Sequence, residues 1–430
     1  MGTTIHTPAY HLEEAYVAEG PKPSTFWYYL LFSLFLVGWI TEEFSVVDFG
    51  RYSFPLLYFA ALPFCLRATS RSILFLMLPV VSTFFGVLVA LLDGFDRAPI
   101  ISQGGLQVLA ILFAAGVASI DWRRYIGTFA RALVIAAVPV VAYGGYQMLA
   151  RATHLPYAFL PVTNQQYYAD GGLQRGWEKA EFTRASSFFV EPSAFGYFCL
   201  WLVVLGLSLE KGRLRYAALG LAFSGILFSQ SLSAVLGVGV LLLVYFFTHP
   251  ISVSLVRQVV ILVLLSGLAI LIVPPLIPQA FTRFSDRIQE ALSLDERADS
   301  GRVDHLPACW AIFKDAPVWG HGLSTLASAE VNGNDITTVT YALLLMERGL
   351  VGAVLFLVPW VYIGVRSGLR SSADPCRTLA LLLSALNLYN FSISSILYSL
   401  PFWFSLGITA SLVLDTHLRP KRHLALAGAW

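Results

Sequence analysis

The sequence of 430 residues has too little charge for a protein that is surrounded by water. Charged residues make up 13% of this chain, whereas a soluble domain carries roughly 25%. Hydrophobic residues make up 57% and aromatic residues 14%. This composition excludes a soluble enzyme, a disordered chain and a nucleic-acid-binding protein, and it indicates a membrane protein with many spans. The net charge of +2 is also too small to attract a polyanionic partner.

The residue patterns of several chemistries are also missing. The four cysteines lie far apart without a CxxC pair, so we expect neither a disulfide framework nor a zinc site. The sequence has no Walker loop, HExxH motif, GxSxG elbow or DxD-like acidic pair on an outer loop, so we expect no ATP-driven step, no metal and no other cofactor. Because residues 1–24 lack the basic-then-apolar order of a signal peptide, the first apolar run is predicted to be a retained transmembrane helix.

About twelve apolar runs predict an all-α polytopic membrane protein, since a helix needs about 20 apolar residues to cross a bilayer. The runs cover residues 25–40, 46–66, 72–92, 100–120, 131–148, 188–209, 216–228, 232–247, 256–276, 337–365, 378–396 and 400–414. Two pairs of short runs, 216–247 and 378–414, leave two alternatives open. Each pair either crosses the membrane twice or contains a re-entrant segment.

The positions of Lys and Arg orient these spans, because basic residues concentrate in cytoplasmic loops. The predicted inner loops and adjoining span ends contain most of them, and the short outer loops with their span ends contain only Arg51 and Arg97. This distribution predicts that both termini are cytoplasmic and favours two crossings for each weak pair. The predicted order is a tail (1–24), spans (25–148), a long outer loop (149–187), spans (188–277), a second long outer loop (278–336), spans (337–414) and a tail (415–430).

The first long loop ends in residues suited to binding an anion. Arg184 precedes the next span, and Glu191 stands at its outer end, directly before Pro192. A helix that begins here would aim free N–H groups and a positive dipole at the outer face. Arg175 and Lys179 add cations that could bind substrate. The alternative is a solvated loop in which an acid complements the dipole of the helix.

The second long loop is predicted to contain an amphipathic surface helix at 281–292 and a short helix at 303–313 that follows Arg302. A tight turn at 317–323 comes next, with His321 between two glycines. His321 is a candidate catalytic residue and Glu330 a candidate binding residue, although a lone histidine is more often structural.

Polar residues also occur within the apolar segments. Ser231, in the cluster 229–233, either hydrogen-bonds a sugar or caps a helix end, and capping is favoured. Glu347 and Arg348 interrupt the tenth apolar run and are predicted to form an internal ion pair or to line a cavity, since neither charge can face lipid cheaply.

The order of these motifs resembles the bacterial O-antigen polymerase and O-antigen ligase superfamily. The resemblance rests on FTRASSFFVEPSAFGYF (182–198), GRVDHLPACWAIFKDAPVWGHGLSTL (301–326) and YALLLMERGLVGAVLF (341–356). The family pattern is an Arg before an outer-loop helix, an Arg followed by a Trp, a Pro-x-x-Gly-x-Gly turn and an acid before Gly-Leu-x-Gly. The matching residues are Arg184, Arg302, Trp310, Pro317, Gly320, Gly322, Glu347, Gly349, Leu350 and Gly352.

The resemblance implies inverting, metal-independent glycosyl transfer from undecaprenyl diphosphate at the outer face of the bacterial inner membrane. It implies diphosphate contacts for Arg184 and Arg302, and a role for Glu191 as a base or in orienting the acceptor. The partners would be a lipid-linked oligosaccharide as donor and acceptor, the bilayer, a chain-length regulator and export proteins.

The resemblance also favours one reaction over its alternatives. Ligases of the family have a His where this chain has Thr337 and Thr338, and VEPSAF is more similar to exopolysaccharide polymerases. We therefore expect a repeat-unit polymerase of a surface or secreted polysaccharide. The alternatives are a ligase and a flippase or secondary transporter of lipid-linked sugars.

Overall fold

The computed structural model describes residues 26–41, 61, 70–95, 97–153, 155–156, 185–189, 191–209, 212–249, 306–323, 330–331, 334–335, 339–368, 374–393 and 399–414. Several predictions fall outside these residues. They are the span at 256–276, nearly all of the span at 46–66, the surface helix at 281–292, and the site residues Arg175, Lys179, Arg184 and Arg302.

The described residues form eleven helices and one small hairpin. The helices are α1 (Phe26–Thr41), α2 (Ser70–Leu92), α3 (Arg97–Ala118), α4 (Trp122–Thr153), α5 (Pro192–Ser208), α6 (Arg213–Ser229), α7 (Leu232–Thr248), α8 (Leu306–Asp315), α9 (Thr340–Gly368), α10 (Pro375–Phe391) and α11 (Leu400–Leu414). The strands β1 (Glu330–Val331) and β2 (Asn334–Asp335) pair antiparallel. Apart from this hairpin, the predicted all-α class is confirmed.

Four of these helices contain segments long and apolar enough to cross a membrane: Phe75–Leu92, Ile100–Ala118, Trp122–Ala150 and Thr340–Gly368. Shorter apolar helices are found at Phe26–Ile40, Pro192–Ser208, Leu232–Thr248 and Leu400–Leu414. The chain is thus a helical membrane protein. The number of twelve spans stays a prediction.

Contacts between helix termini define two ends of the bundle. At the end that we call the basic end, Arg123 pairs with Asp374 at 2.9 Å, and Ser411 Oγ donates to the Ile120 carbonyl at 2.6 Å. His249 at the end of α7 also lies 2.8 Å from the Thr378 hydroxyl at the start of α10.

The opposite end, which we call the loop end, is where the chain before α5, the end of α6, the start of α7, the end of α10 and the start of α11 meet. The Ala185 N–H donates to Phe228 O at 2.9 Å, and the Tyr389 hydroxyl donates to Ser233 O at 2.5 Å. Phe402, near the start of α11, packs against Phe391 at the end of α10 with a ring-centroid distance of 5.1 Å. Each helix of the two weak pairs therefore runs from one end to the other, which favours two crossings over a re-entrant segment.

Aromatic rings and small residues fill the core. This is expected in a membrane, where helices associate through close packing rather than through the hydrophobic effect. Phe404 stacks on Phe35 at 3.7 Å and packs against Phe129, which joins α11 to α1 and α4. At Gly407 a Cβ would lie 2.5 Å from the Val117 Cβ, so only glycine permits this approach of α11 to α3.

Candidate functional site

Helix α9 is broken at the point where the sequence places its two buried charges. Glu347 and Arg348 have 3% and 0% of their surface exposed. The next residue, Gly349, has φ 60° and ψ −168° and interrupts the helix. This backbone region is open to glycine almost alone. As predicted, neither charge faces lipid.

The turn at 317–323 fills this break by exchanging backbone hydrogen bonds with α9. In a continuous helix, Leu350 N–H would donate to Met346 O, and Val351 N–H to Glu347 O. Both N–H groups and both carbonyls instead pair with the turn. The bonds join Leu350 N to Pro317 O (2.9 Å), Val351 N to Val318 O (3.3 Å), His321 N to Met346 O (2.9 Å) and Gly322 N to Glu347 O (2.8 Å). We call this arrangement the splice.

Two glycines allow the turn to approach so closely. Gly320 and Gly322 have φ values of 72° and 93°, which L side chains rarely adopt. A Cβ on Gly320 would lie 2.6 Å from the Glu347 carbonyl carbon, and one on Gly322 would lie 2.5 Å from the Ala90 Cβ on α2. The Pro-x-x-Gly-x-Gly turn and the Gly-Leu-x-Gly segment of α9 thus form one structural unit.

Arg348 fastens the break to the neighbouring helices. Its guanidinium donates to Ser82 Oγ of α2 at 3.0 Å and to Gln107 Oε1 of α3, and it lies 5.2 Å from the ring centroid of Phe356. Thr83 also donates to Gln107 Oε1, at 3.1 Å. These contacts satisfy a charge that would be costly in an apolar interior.

His321 is half-buried in the turn and reaches back to α8. Its Nε2 lies 2.9 Å from the Ile312 carbonyl. Because a carbonyl can only accept, Nε2 carries a proton in this contact, and in the neutral tautomer the lone pair is then on Nδ1. The contact with Ile312 orients the ring, and in the neutral tautomer its Nδ1 could accept a proton.

Glu191 stands exposed at the N-terminus of α5. Its carbonyl accepts from Ala194 N at 3.1 Å and Phe195 N at 3.2 Å, whereas its side chain caps no backbone group and accepts from Ser193 Oγ at 2.8 Å. The exposed carboxylate therefore does not cap the helix. Pro192 stands at the first helical position, where proline favours a helix start. This agrees with the predicted helix N-terminus.

Gln147 of α4 anchors the chain between Arg184 and Glu191, a role that sequence reasoning did not find. Its Oε1 accepts from Ser186 N at 3.1 Å and Ser187 N at 2.7 Å. Ser187 has φ 53°, an uncommon backbone conformation that these bonds help to hold. A lone glutamine in an apolar run carries no signal of its distant partner.

Ser231 caps α7, as the sequence favoured. It is 1% exposed, and its Oγ accepts from Ala234 N at 3.4 Å and lies 2.8 Å from Ser233 Oγ. A contact between Ser231 and substrate stays a prediction. The backbone of Glu330 pairs with Asp335 in the hairpin, and its binding role is likewise a prediction.

Three of the four predicted site residues that the structure describes fall into two groups. Glu191 and Ser231 both lie at the corner where α5, α6 and α7 meet, since a Cβ on Gly196 would lie 3.1 Å from the Ser231 Cβ. His321 lies where α8, α9 and α2 meet. No hydrogen bond joins Glu191 to His321, and no group of three potential metal ligands occurs among the described residues.

The fold and the site define the class of this protein. It is a helical membrane protein in which a glycine-dependent turn is spliced into a broken helix. Residues 217–357 match the family described as O-antigen ligase. No curated protein matches the chain. The predicted resemblance to the O-antigen polymerase and ligase superfamily is confirmed over this segment, which runs from α6 through the splice to α9. The match supports a ligase- or polymerase-type function in polysaccharide biosynthesis.

Proposed function

We propose that the protein polymerises oligosaccharide repeat units carried on undecaprenyl diphosphate, at the periplasmic face of the bacterial inner membrane. The observation that carries this proposal is the family match at 217–357, whose described residues include the splice and His321. The product would be a surface or secreted polysaccharide.

The bundle geometry supports this orientation of the site. The chain after the first long loop and the start of α9 after the second both lie at the loop end, where Ala185 N donates to Phe228 O and the Tyr341 hydroxyl donates to Leu388 O at 3.1 Å. Basic residues occur at the opposite end, among them Arg123, Arg215 and Arg377. Since Lys and Arg mark the cytoplasmic side, the loop end would face outward. Both termini would then be cytoplasmic.

The reaction needs a base and a stabilised leaving group. The acceptor hydroxyl oxygen attacks the anomeric carbon, the bond from that carbon to the diphosphate oxygen breaks, and the diphosphate leaves with the electron pair. The hydroxyl proton passes to Glu191 or to Nδ1 of His321. Arg184 and Arg302 would bind the diphosphate, because a guanidinium fork suits phosphate oxygens where no metal is used.

Two features favour polymerase over ligase. Threonines occupy positions 337 and 338, where ligases of the family have a His, and the VEPSAF segment resembles exopolysaccharide polymerases. A ligase is the second candidate, because the matching family carries that description.

The lipid-linked glycans of a deletion strain test the proposal. A polymerase deletion accumulates single repeat units on the outer side of the membrane. Long chains that fail to be attached would instead indicate a ligase, and repeat units trapped inside would indicate a flippase. Purified protein should also extend a synthetic lipid-diphosphate repeat in EDTA without ATP, and a strict requirement for a divalent ion would contradict the arginine-based chemistry.

A further inference from the structure

Arg348 contacts α2 and α3 from the residue directly before the break in α9. Its partner Ser82 accepts from the guanidinium at 3.0 Å and donates to Gly352 O at 2.7 Å. Ser82 therefore holds α9 on both sides of Gly349. Gln107 adds a third helix to this contact.

The turn at 317–323 is supported by the same stretch of α2. Leu323 N donates to Gly86 O at 2.8 Å, and Gly86 lies one helical turn beyond Ser82. A Cβ on Gly86 would lie 3.5 Å from both Arg348 Cγ and Leu323 Cβ. The guanidinium and the turn are therefore supported by the same segment of α2.

We propose that Arg348 is a positioning residue, which keeps the turn 317–323 spliced into α9 and so fixes the place of His321. If the turn moved away, α9 could form two intrahelical hydrogen bonds in place of those it makes with the turn. A continuous α9 therefore competes with the spliced state. Straightening the helix at Gly349 would turn Arg348 away from Ser82 and Gln107 and leave a charge in an apolar interior, which is costly. The bonds of Arg348 therefore favour the spliced state.

Labelling of Cys309 tests the splice without any assay of activity. Cys309 is a buried thiol of α8, the helix that leads into the turn. The parent protein has Cys65, Cys199 and Cys376 replaced by Ala and is labelled with a maleimide in membranes. In this parent, Arg348→Met should raise the labelling rate of Cys309 at least about tenfold. A change of this size is expected when hydrogen bonds to a charged group are lost. Arg348→Lys should lie between Arg348→Met and the parent.

Matched controls separate local release from unfolding. Arg366 is also in α9, and its guanidinium donates to Tyr362 of the same helix. Arg366→Met should therefore leave Cys309 labelling unchanged. In protein that keeps only Cys199, buried in α5, Arg348→Met should leave labelling slow. Unchanged labelling of Cys309, or an equal rise at Cys199, would overturn the proposal. Ser82→Ala is the milder variant should Arg348→Met fail to accumulate, and it should raise Cys309 labelling in the same direction.

A double-mutant cycle with His321 tests the positioning role, which rests on the proposed function. His321→Gln can keep a donor toward Ile312 O while removing the imidazole. If Arg348 acts through His321, Arg348→Lys slows polymerisation in the parent but causes no further loss in His321→Gln. Equal losses in both backgrounds would show a merely structural role and overturn the proposal. Full activity of His321→Gln would overturn the link to catalysis, and Cys309 labelling would still decide whether Arg348 holds the splice.

Discussion

Replacing Gly349 by alanine should release the turn from α9. The glycine has φ 60° and ψ −168°, and an alanine Cβ would lie 2.5 Å from Gly320 N and closer still to the Val318 carbonyl. The backbone conformation costs a non-glycine residue roughly 1–3 kcal/mol, and alanine favours a continuous helix over glycine by about 1 kcal/mol. Together these effects shift the balance toward the straight helix by about 2–4 kcal/mol, or roughly 30-fold to nearly 1000-fold, before the overlap is counted.

The expected result is a protein that inserts and accumulates normally but no longer forms long chains. Cys309 should label rapidly, because α8 and the turn would separate from α9. The glycan ladder and the labelling rate are the two measurements.

The matched control is Gly105→Ala in α3, where a Cβ would meet nothing within 4 Å. This helix should gain about 0.5–1 kcal/mol and the glycan ladder should be unchanged. Slow labelling and normal chains in Gly349→Ala would refute the reasoning, since the splice would then tolerate a side chain that its geometry excludes.

Three further predictions concern the proposed chemistry and the basic end. Arg184→Ala and Arg302→Ala should each slow polymerisation about 100-fold, with little recovery in the Lys variants. The control is Arg287, which is predicted to lie on the exposed face of the surface helix at 281–292, and equal damage from Arg287→Ala would contradict specific diphosphate contacts. Asp374→Ala should lower thermal stability in detergent by about 1 kcal/mol through loss of the cap on Cys376 N, and Asp374→Asn by less, so equal losses would contradict a capping role. Partial burial lowers the pKa of His249 despite its bond to a backbone carbonyl, so the unfolded state binds more protons as the pH falls below about 6.5. Thermal stability should therefore be lower at about pH 5.5 than at about pH 7.5, and His249→Gln should reduce that difference. An unchanged difference in His249→Gln would contradict the role of His249.

The sequence predicted the parts of the site better than their arrangement. The turn with His321 and the segment with Glu347 were both singled out, and the helix start at Glu191 lies where the Pro192 signal placed it. Their interlocking could not be predicted, because it uses backbone N–H and carbonyl groups that every residue has. Gln147 and Gln107 were missed for a related reason, since each acts only through partners brought close by folding.

Composition by itself determined that this chain is a helical membrane protein, because a surface with so few charges cannot face water and helices satisfy their own backbone groups in lipid. The order of motifs predicted the resemblance to the superfamily, which the match at 217–357 confirms over that segment. Only the tertiary structure decided how the buried charge is held, since Arg348 and Ser82 are 266 residues apart. Local pattern reports which residues share a helix face, whereas a contact between distant helices depends on how the whole bundle packs.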